Sequence, residues 1–387
     1  MNASQTLFLL LRQTVCGASE DSKTIEQLTP AERNDLARLA DSHELLHIVG
    51  HALGAGGFLA EDSLSVELRT QAKQAVLRYY LFQREFCRIC QVLESEKIPY
   101  VPLKGSVLRN FYPEPWMRTS CDIDILVQES QLDAAVGALD NRLGYTHGGK
   151  SHHDVSMHSP NGIHLELHFS LETESANRER EILGKVWLYS MPSGDNSACR
   201  HLTDAFAYFY HIAHMAKHLH HGGCGIRFFL DLWILNHRVS FDADARKALL
   251  EEAGLLRFAE VAENLAEAWF SCKEKDTLSA ALEQYVLSGG VFGATENAVA
   301  VARNRQGGRI VFLLRKVFPS YQQMVWYYPV LQNRPWLLPV CAVRRWFRLI
   351  FTRDAKRALK TVRINVGISK KQIESVADLM HGLELDT

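Results

Sequence analysis

The chain has 387 residues, of which 47% are hydrophobic and 22% are charged, and its formal net charge is −1. This composition is typical of a globular protein with apolar material for two or three domains, and it excludes a disordered or low-complexity chain. The eight cysteines are scattered, the first residues lack the features of a secretory signal, and no apolar run is long enough to span a membrane, so we expect a cytoplasmic protein with reduced thiols.

Residues 1–95 have the apolar spacing of helices. The segment TPAERNDLARLADSHELLHIVGHAL opens with a Thr-Pro-x-Glu cap, and LSVELRTQAKQAVLRYYLFQREFCRICQVLESEK continues the same period. Cys87 and Cys90 form a CxxC motif within this pattern, but no second pair completes a zinc site, so we interpret them as cysteines on a helix face. The sequence therefore predicts an N-terminal helical region.

The period of the pattern changes after residue 95. IPYVPL predicts a strand, GSVLRNFY a helix start, DIDILV a strand and SQLDAAVGALDNRLG a helix; HDVSMHS and IHLELHFSL predict two strands joined by a PNG turn. This order indicates a small mixed α/β unit at 96–190. The polar segment MPSGDNSACRHLT follows, and 200–387 is again helical. The predicted fold class is α+β, with a small mixed sheet flanked by helical regions on both sides.

Two carboxylates lie on one face of the predicted strand DIDILV. Side chains at i and i+2 share a face, so Asp122 and Asp124 point together and the aliphatic residues point to the core. A buried carboxylate pair needs water or a cation, and an oxygen-rich site of this kind suits Mg²⁺. If HLELH lies beside DIDILV, Glu166 completes a cluster able to hold one or two metal ions. His164 and His168, on the same face, are then supporting or structural partners.

A Lys-Gly-Ser turn precedes this strand, where a predicted strand gives way to a helix. Gly105 lets the backbone approach a phosphate, and the start of the helix offers free N–H groups. Lys104 and Ser106 add a charge and a hydroxyl that would neutralise and hydrogen-bond the phosphate. Arg118, four residues before Asp122, offers a bidentate guanidinium to a triphosphate. Together these residues predict a nucleotide site.

These motifs carry a resemblance. Gly-Ser before a helix, an Asp-x-Asp strand and a third acid on a later strand are similar to the nucleotidyltransferase superfamily of DNA polymerase β and the antibiotic nucleotidyltransferases. More narrowly, PLKG, LRNFY, DIDILV and HLELHFSL, followed by HMAKH and IRFFLDLWIL, resemble the bacterial family of uncharacterised nucleotidyltransferases, over roughly residues 90–350. The resemblance implies that Asp122 and Asp124 bind metal and that Glu166 is the third carboxylate or the base for the acceptor. Gly105 and Ser106 would contact the β- and γ-phosphates.

The reaction expected from such a site is attack by an acceptor hydroxyl or phosphate on the α-phosphate of an NTP such as ATP, with Mg²⁺ or Mn²⁺ and release of pyrophosphate. The acceptor is left open among a small molecule, a saccharide, a protein and an RNA. Two alternatives also stay open. One is a module that binds nucleotide without turnover, and the other is an adaptor for membranes or nucleic acid that acts through the C-terminal segment.

A histidine-rich stretch follows the central unit. His211, His214 and His218 recur at i, i+3 and i+7, on one face of a predicted helix. A zinc site is disfavoured because no fourth ligand is defined. We expect one or two of these histidines, with Arg227 and Asp231, to face the nucleotide or the acceptor. A simple helix ion pair between Arg227 and Asp231, four residues apart, explains those two equally well.

The C-terminal region contains a basic, aromatic-rich segment. Residues 301–363 include fourteen Lys or Arg and one acid, Asp354. Such a segment is suited to nucleic acid, to an anionic membrane surface or to the acidic remainder of its own chain, and an ordinary solvated face is a further explanation. PWLLPVCAVRRWFRLIF joins an apolar side to arginines, so among external partners the sequence favours an anionic membrane, contacted through 336–363, over RNA.

Overall fold

The computed structural model describes residues 2–20, 23–171, 177–291, 293–306, 318–328, 330–351 and 364–385. The chain divides into two compact units, of which the first comprises Met1–Lys217 and Ile226–Ala280 and the second His218–Gly225 and Ala281–Thr387. The predicted boundaries near residues 95 and 200 both fall inside the first unit, and the division into three regions stays a prediction about organisation along the chain.

The first unit contains a five-stranded mixed sheet, which confirms the predicted α+β class. Its strands are β1 Tyr100–Pro102, β2 Asp122–Val127, β3 Thr146–Lys150, β4 Asp154–His158 and β5 His164–His168. The strand order is β1-β2-β5-β4-β3; β2 and β5 run parallel, and the other neighbours are antiparallel. A separate hairpin pairs β6 Ser190–Pro192 with β7 Arg200–Leu202.

Helices precede and follow the strands of the sheet along the chain, as predicted. From the N-terminus to residue 287 they are α1 Ala3–Leu11, α2 Lys23–Glu26, α3 Pro30–Ser42, α4 Leu46–Ala55, α5 Ser63–Ser95, α6 Gly105–Leu108, α7 Leu132–Leu143, α8 Asn177–Leu183, α9 Asp204–His220, α10 Ile226–His237, α11 Ala243–Ala253, α12 Leu256–Phe270 and α13 Thr277–Leu287. The later ones are α14 Thr295–Gln306, α15 Tyr321–Tyr327, α16 Val330–Asn333, α17 Leu338–Phe351 and α18 Lys370–Gly382. Among the described helices, none combines the length and the apolar character that crossing a bilayer requires.

The N-terminal cap was readable from the sequence, whereas a break after it was not. The Thr29 hydroxyl accepts from the Glu32 N–H, the Glu32 carboxylate accepts from the Thr29 N–H, and Pro30 occupies the first turn of α3. The apolar pattern predicted helices from this cap onward, without indicating where one ends and the next begins. The chain turns at Glu44, whose φ of 55° is incompatible with a right-handed helix, so that α3 and α4 are separate.

One face of the sheet packs against α5 and α7. The aliphatic side chains that alternate with the acids of β2 and β5 are buried there, namely Ile123, Ile125, Leu165 and Leu167. Phe82, Ile89 and Val92 of α5 and Leu132, Ala135 and Leu139 of α7 cover them. Each such side chain contributes roughly 1.5–3 kcal/mol when it leaves water. This core fixes the pleat, and the polar side chains of β2 and β5 must therefore lie on the opposite face.

Two features of the sheets were not predicted. β3 has the sequence THGGK and is exposed along its length, at the edge of the sheet, with an irregular register between His147 and Gly149. Strands of this kind lack the apolar alternation on which a strand prediction depends. The hairpin of β6 and β7 lies in and beside the polar segment that the sequence indicated as a break, and its strands have three residues each.

Candidate metal and nucleotide site

The parallel pairing of β2 with β5 brings the predicted acids together. Asp122 lies opposite His164, and Asp124 lies opposite Glu166. Donor atoms of Asp122, His164 and Glu166 lie within 4.8 Å of one another, as do those of Asp124, Glu166 and His168. The expectation that HLELH lies beside DIDILV is confirmed. These oxygen and imidazole donors fit a divalent cation, whereas their roles as ligands remain a proposal.

Asp124 already has two positively charged or proton-donating neighbours. Its Oδ1 accepts from Lys104 Nζ at 2.7 Å and from His168 Nε2 at 2.9 Å, and the residue is only 4% exposed. Burial alone would raise the pKa of Asp124, but Lys104 and His168 together lower it well below its usual range. Asp124 is therefore ionised before any metal binds.

Asp122 has a different environment on the same strand. Burial, followed by the charges of Asp124 and Glu166, raises the pKa of Asp122, and these effects outweigh the attraction of Lys104. A cation between the carboxylates would relieve that repulsion. The contrast between Asp122 and Asp124 means that a divalent ion has most to gain at the outer part of the cluster, where Asp122, His164 and Glu166 are half-buried.

Lys104 reaches Asp124 from a strained turn. Its φ of 47° and ψ of −122° belong to a backbone conformation that favours glycine, and Ser106 N–H closes the turn by donating to the Leu103 carbonyl at 3.2 Å. Strain of this kind costs about 1–3 kcal/mol and tends to persist at functional positions. The sequence assigned Lys104 to a phosphate, but in this structure its ammonium is bound to Asp124.

The turn offers fewer N–H groups than the sequence suggested. α6 is a single turn, and the Ser106 N–H is occupied by Leu103, while those of Val107 and Leu108 both donate to the Lys104 carbonyl. The expectation of several free N–H groups is therefore wrong for Ser106 and the two residues after it. The Gly105 N–H and the Ser106 hydroxyl are the groups of this turn that remain proposed for a phosphate.

Arg118 is buried in an ion pair across the unit. Its Nε lies 2.9 Å from both carboxylate oxygens of Asp231, and the Tyr112 hydroxyl donates to the same carboxylate at 2.7 Å. Burial lowers the pKa of Arg118, but Asp231 raises it overall. The sequence offered a helix ion pair between Arg227 and Asp231. In the structure Asp231 pairs with Arg118, and Arg227 Nη1 lies 3.1 Å from Glu44 Oε2. The triphosphate role of Arg118 stays a prediction.

The model of one protein family matches residues 29–271, a range that includes the whole five-stranded sheet and the helices from α3 to α12. That family is described as uncharacterised nucleotidyltransferases. The chain belongs to this family. The predicted membership of the uncharacterised nucleotidyltransferase family is thereby confirmed, whereas the polymerase β superfamily stays a prediction; a transferase acting on nucleotidyl groups is the activity that membership supports. No curated protein and no solved structure matches the chain.

The histidines that precede α10 in this nucleotidyltransferase have structural surroundings. His211 is buried, its Nε2 donates to the Phe228 carbonyl at 2.9 Å, and burial lowers its pKa. The His214 ring lies 5.4 Å from the Phe228 ring, and His218 belongs to the second unit. Within the described residues, the groups with three donors close enough for an ion include none of these histidines.

Two residues near the carboxylates of this nucleotidyltransferase were missed. Burial raises the pKa of Tyr210, on α9, to about 12. The positive charge of Lys104 opposes this shift, and the negative charges of Asp124 and Glu166 add to it. Ser156 of β4 lies 2.8 Å from His164 Nε2. Neither residue belongs to a motif. Ser156 lies opposite Glu166 in the predicted hairpin of β4 and β5, whereas the proximity of Tyr210 arises from tertiary packing, which a single sequence does not reveal.

Proposed function

We propose that the chain is a metal-dependent nucleotidyltransferase that moves an NMP from an NTP to a hydroxyl or phosphate acceptor and releases pyrophosphate. The observation that carries the proposal is the register of β2 and β5, which gathers Asp122, Asp124 and Glu166 on one face of the sheet. Family membership supports the same reaction class. Acceptors from small molecules to saccharides, proteins and RNA fit this chemistry.

The three acids would hold Mg²⁺ or Mn²⁺. A bound divalent cation supplies charge neutralisation at the phosphates and lowers the pKa of the attacking hydroxyl. Lys104 and His168 keep Asp124 ionised, so that this carboxylate is ready as a ligand over a wide pH range. The Glu166 side chain is 27% exposed, whereas that of Asp124 is 5% exposed. Glu166 is proposed as a ligand or as the group that accepts the proton of the acceptor.

The phosphates of the NTP are proposed to lie at the Lys-Gly-Ser turn. Gly105 is buried, and a Cβ added there would lie 3.2 Å from Ser120 Cβ, so a larger residue would require Ser120 to move by a few tenths of an ångström. The Gly105 N–H and the Ser106 hydroxyl would donate to phosphate oxygens, and Lys104 would attract the same charge from beside Asp124. Arg118 pairs with Asp231 through Nε, so its contribution to the triphosphate would come from its terminal N–H groups.

The test is a screen of the four NTPs with Mg²⁺ or Mn²⁺, scored by pyrophosphate release and by the mass of the protein, which detects self-modification. Asp124→Asn should lower release about a hundredfold or more, because it removes a charge on which transition-state stabilisation depends. Asp133→Asn, an exposed acid on α7, is the matched control and should release pyrophosphate as the wild type does. Nucleotide binding with no release by wild type would instead indicate the non-catalytic module.

A second candidate function is favoured by the surface of α17 in the second unit. Val340, Val343 and Phe347 recur at i, i+3 and i+7, Trp336 precedes them by one turn, and all four are between 46% and 72% exposed. Cys341, on another face of the helix, is buried with Met324 and Leu331. α17 thus presents an apolar stripe on the side away from its own small core.

We infer that this stripe binds an anionic membrane surface. Arg344, beside the stripe, is exposed, and the Arg345 guanidinium lies 5.5 Å from the Tyr327 ring. An exposed apolar stripe with flanking arginines is typical of interfacial helices, and anionic lipid complements the charge of residues 301–363. Residues 307–317, 329 and 352–363 of that segment lie outside the described residues. The cytoplasmic location stays a prediction, and the cytoplasmic leaflet is the anionic surface that fits it.

Vesicle flotation tests this second function. Wild type should float with vesicles that contain phosphatidylserine and much less with pure phosphatidylcholine, and Val340→Ser with Val343→Ser should abolish flotation. Val66→Ser, an exposed apolar residue of α5, is the matched control. Equal binding to both vesicle types, or binding to RNA in place of vesicles, would contradict the membrane assignment.

A further inference from the structure

An open cleft lies between α5 and the segment that leads into β2. Its lining includes three guanidinium groups and three aromatic rings, from Arg78, Tyr79, Phe82, Arg109, Trp116 and Arg118. We call it the arginine cleft. The carboxylates of the candidate metal cluster do not line it, so the cleft is a feature separate from that cluster.

Arg109 brings an unbalanced charge into the wall of the arginine cleft. The residue is 5% exposed, its Nε donates to the Gly105 carbonyl at 2.7 Å, and its Nη2 donates to the Ser120 hydroxyl at 2.8 Å. Within the described part of the chain it makes no ion pair. Burial and the nearby Arg118 lower the pKa of Arg109 to about 10, and the opposing effects of Tyr79 and Asp122 are smaller. A buried guanidinium with only neutral acceptors is unfavourable unless an anion balances it.

The other two arginines do not supply that balance. Arg118 is neutralised by Asp231, whose carboxylate also accepts from Tyr112. Arg78 is exposed on α5, at the mouth of the cleft, and forms no ion pair with a described residue. The arginine cleft therefore carries an excess of positive charge, and part of that charge is shielded from water. Such a site is strongly complementary to an oxyanion.

The cleft is linked to the carboxylate cluster through one residue. The Ser120 hydroxyl, which accepts from Arg109, itself donates to the main-chain carbonyl of Asp122 at 3.0 Å. An anion on Arg109 would thus lie close along the chain to the start of β2, where Asp122 begins the Asp-x-Asp motif.

We propose that the arginine cleft binds an oxyanion of the phosphate class, with Arg78 and Arg109 as its cationic partners. The anion is carried by a substrate of the nucleotidyl transfer, either as the phosphate tail of the NTP or as a phosphate of the acceptor. The identity of the carrier rests on the proposed function, whereas the anion site itself does not.

The experiment measures binding of inorganic phosphate and of pyrophosphate to the full chain by calorimetry in EDTA, so that no metal contributes. Wild type should bind, and Arg78→Gln should weaken binding about tenfold, as expected for the loss of one charge-assisted hydrogen bond. Arg109→Gln should weaken it at least as much. Because Arg109 is buried, the Arg109→Gln variant is used only if its circular dichroism spectrum matches that of wild type. If it does not match, Arg78→Gln alone decides the test.

Two controls separate this site from the metal cluster. Arg84→Gln removes another exposed arginine of α5 that does not line the cleft, and Asp122→Asn weakens the metal cluster while it removes a negative charge that acts on Arg109 and Arg118. Arg84→Gln should bind pyrophosphate as wild type does, and Asp122→Asn should bind it at least as tightly. The proposal is overturned if metal-free wild type binds neither anion, or if Arg78→Gln binds both unchanged. Either result stands whether or not the NTP screen finds turnover.

A competition distinguishes the two carriers. A non-hydrolysable NTP analogue is added with Mn²⁺ to the phosphate-bound protein. Release of phosphate would assign the cleft to the tail of the nucleotide, and simultaneous binding of both would assign it to an acceptor phosphate.

Discussion

Lys104 combines a strained backbone with an ion pair to a buried carboxylate. The positive φ turns its side chain toward Asp124, and the ion pair that results holds the backbone in place. The ammonium is partly exposed and the carboxylate is not, so the loss of Lys104 would leave Asp124 with His168 as its neighbour. Two variants at this position separate the charge from the strain.

Lys104→Gly and Lys104→Ala both remove the ammonium, and only glycine relaxes the backbone. Both should be less stable than wild type, because a buried carboxylate loses a partner. The glycine variant should be more stable than the alanine variant by about 1 kcal/mol, the usual cost of a side chain at positive φ. Urea unfolding at neutral pH measures the difference, and equal stability of the two variants would show that the turn is not strained.

Asp122→Asn should make the metal-free protein more stable than wild type, and it should make the protein less stable than wild type when Mn²⁺ is present. In metal-free protein it removes a carboxylate whose pKa is raised by burial, Asp124 and Glu166, so the free energy of unfolding should increase by roughly 0.5 kcal/mol. Mn²⁺ should stabilise wild type and not the variant. Thermal melts with EDTA and with Mn²⁺ test both parts. Equal stabilisation by Mn²⁺ would remove Asp122 from the ligands.

At the level of elements, the sequence predicted the acids and their face but not their partners. The alternation of DIDILV and HLELH is visible because one face of each strand packs on α5 and α7. The parallel pairing of β2 with β5 was only a conditional expectation, since a strand pattern carries no information about its neighbour. Lys104 with Asp124 and Arg118 with Asp231 join residues far apart in sequence, and no local pattern indicates such pairs.

The contact between α4 and α5 gives a prediction at the same scale. A Cβ at Gly50 would lie 2.2 Å from the Leu68 carbonyl oxygen of α5, whereas one at Gly54, a turn later, would lie 3.5 Å from a flexible Leu59 methyl group. Gly50→Ala should cost about 3 kcal/mol, because main chain must move. Gly54→Ala should stabilise by about 0.5 kcal/mol through helix propensity. Denaturant unfolding compares the pair, and similar values would contradict the close helix contact.

At the scale of the whole molecule, buried histidines set the response to acid. His43 and His47 are both buried; the Ile226 N–H donates to His43, and His47 Nε2 donates to the Met117 carbonyl at 2.9 Å. Burial lowers the pKa of each to about 4, from an ordinary value near 6.5. Between these values the unfolded chain binds more protons than the folded one, so stability falls as pH decreases from 6.5 to 4.

His47→Gln should reduce this loss of stability. Each buried histidine accounts for up to about 3 kcal/mol over the window, and glutamine keeps a donor for the Met117 carbonyl without titrating. Urea unfolding measured from pH 7 to pH 4 gives the free energy of unfolding as a function of pH, and its slope between about 4 and 6.5 should be shallower for the variant than for wild type. His201→Gln, at an exposed position, is the control. A slope equal to that of wild type would mean that His47 is protonated in the folded state.

The chain path has a practical consequence for shortened proteins. Residues 218–225 belong to the second unit, although the residues on either side of them belong to the first. Within the second unit, the Tyr285 hydroxyl donates a hydrogen bond to the Leu219 carbonyl, and the Ala294 N–H donates one to the Gly222 carbonyl. A truncation after residue 280 would keep this loop and discard what it binds, leaving main-chain acceptors unsatisfied. Removal of the C-terminal region is thus not a neutral deletion, and point changes on the surface of α17 are the cleaner way to ask what that region contributes.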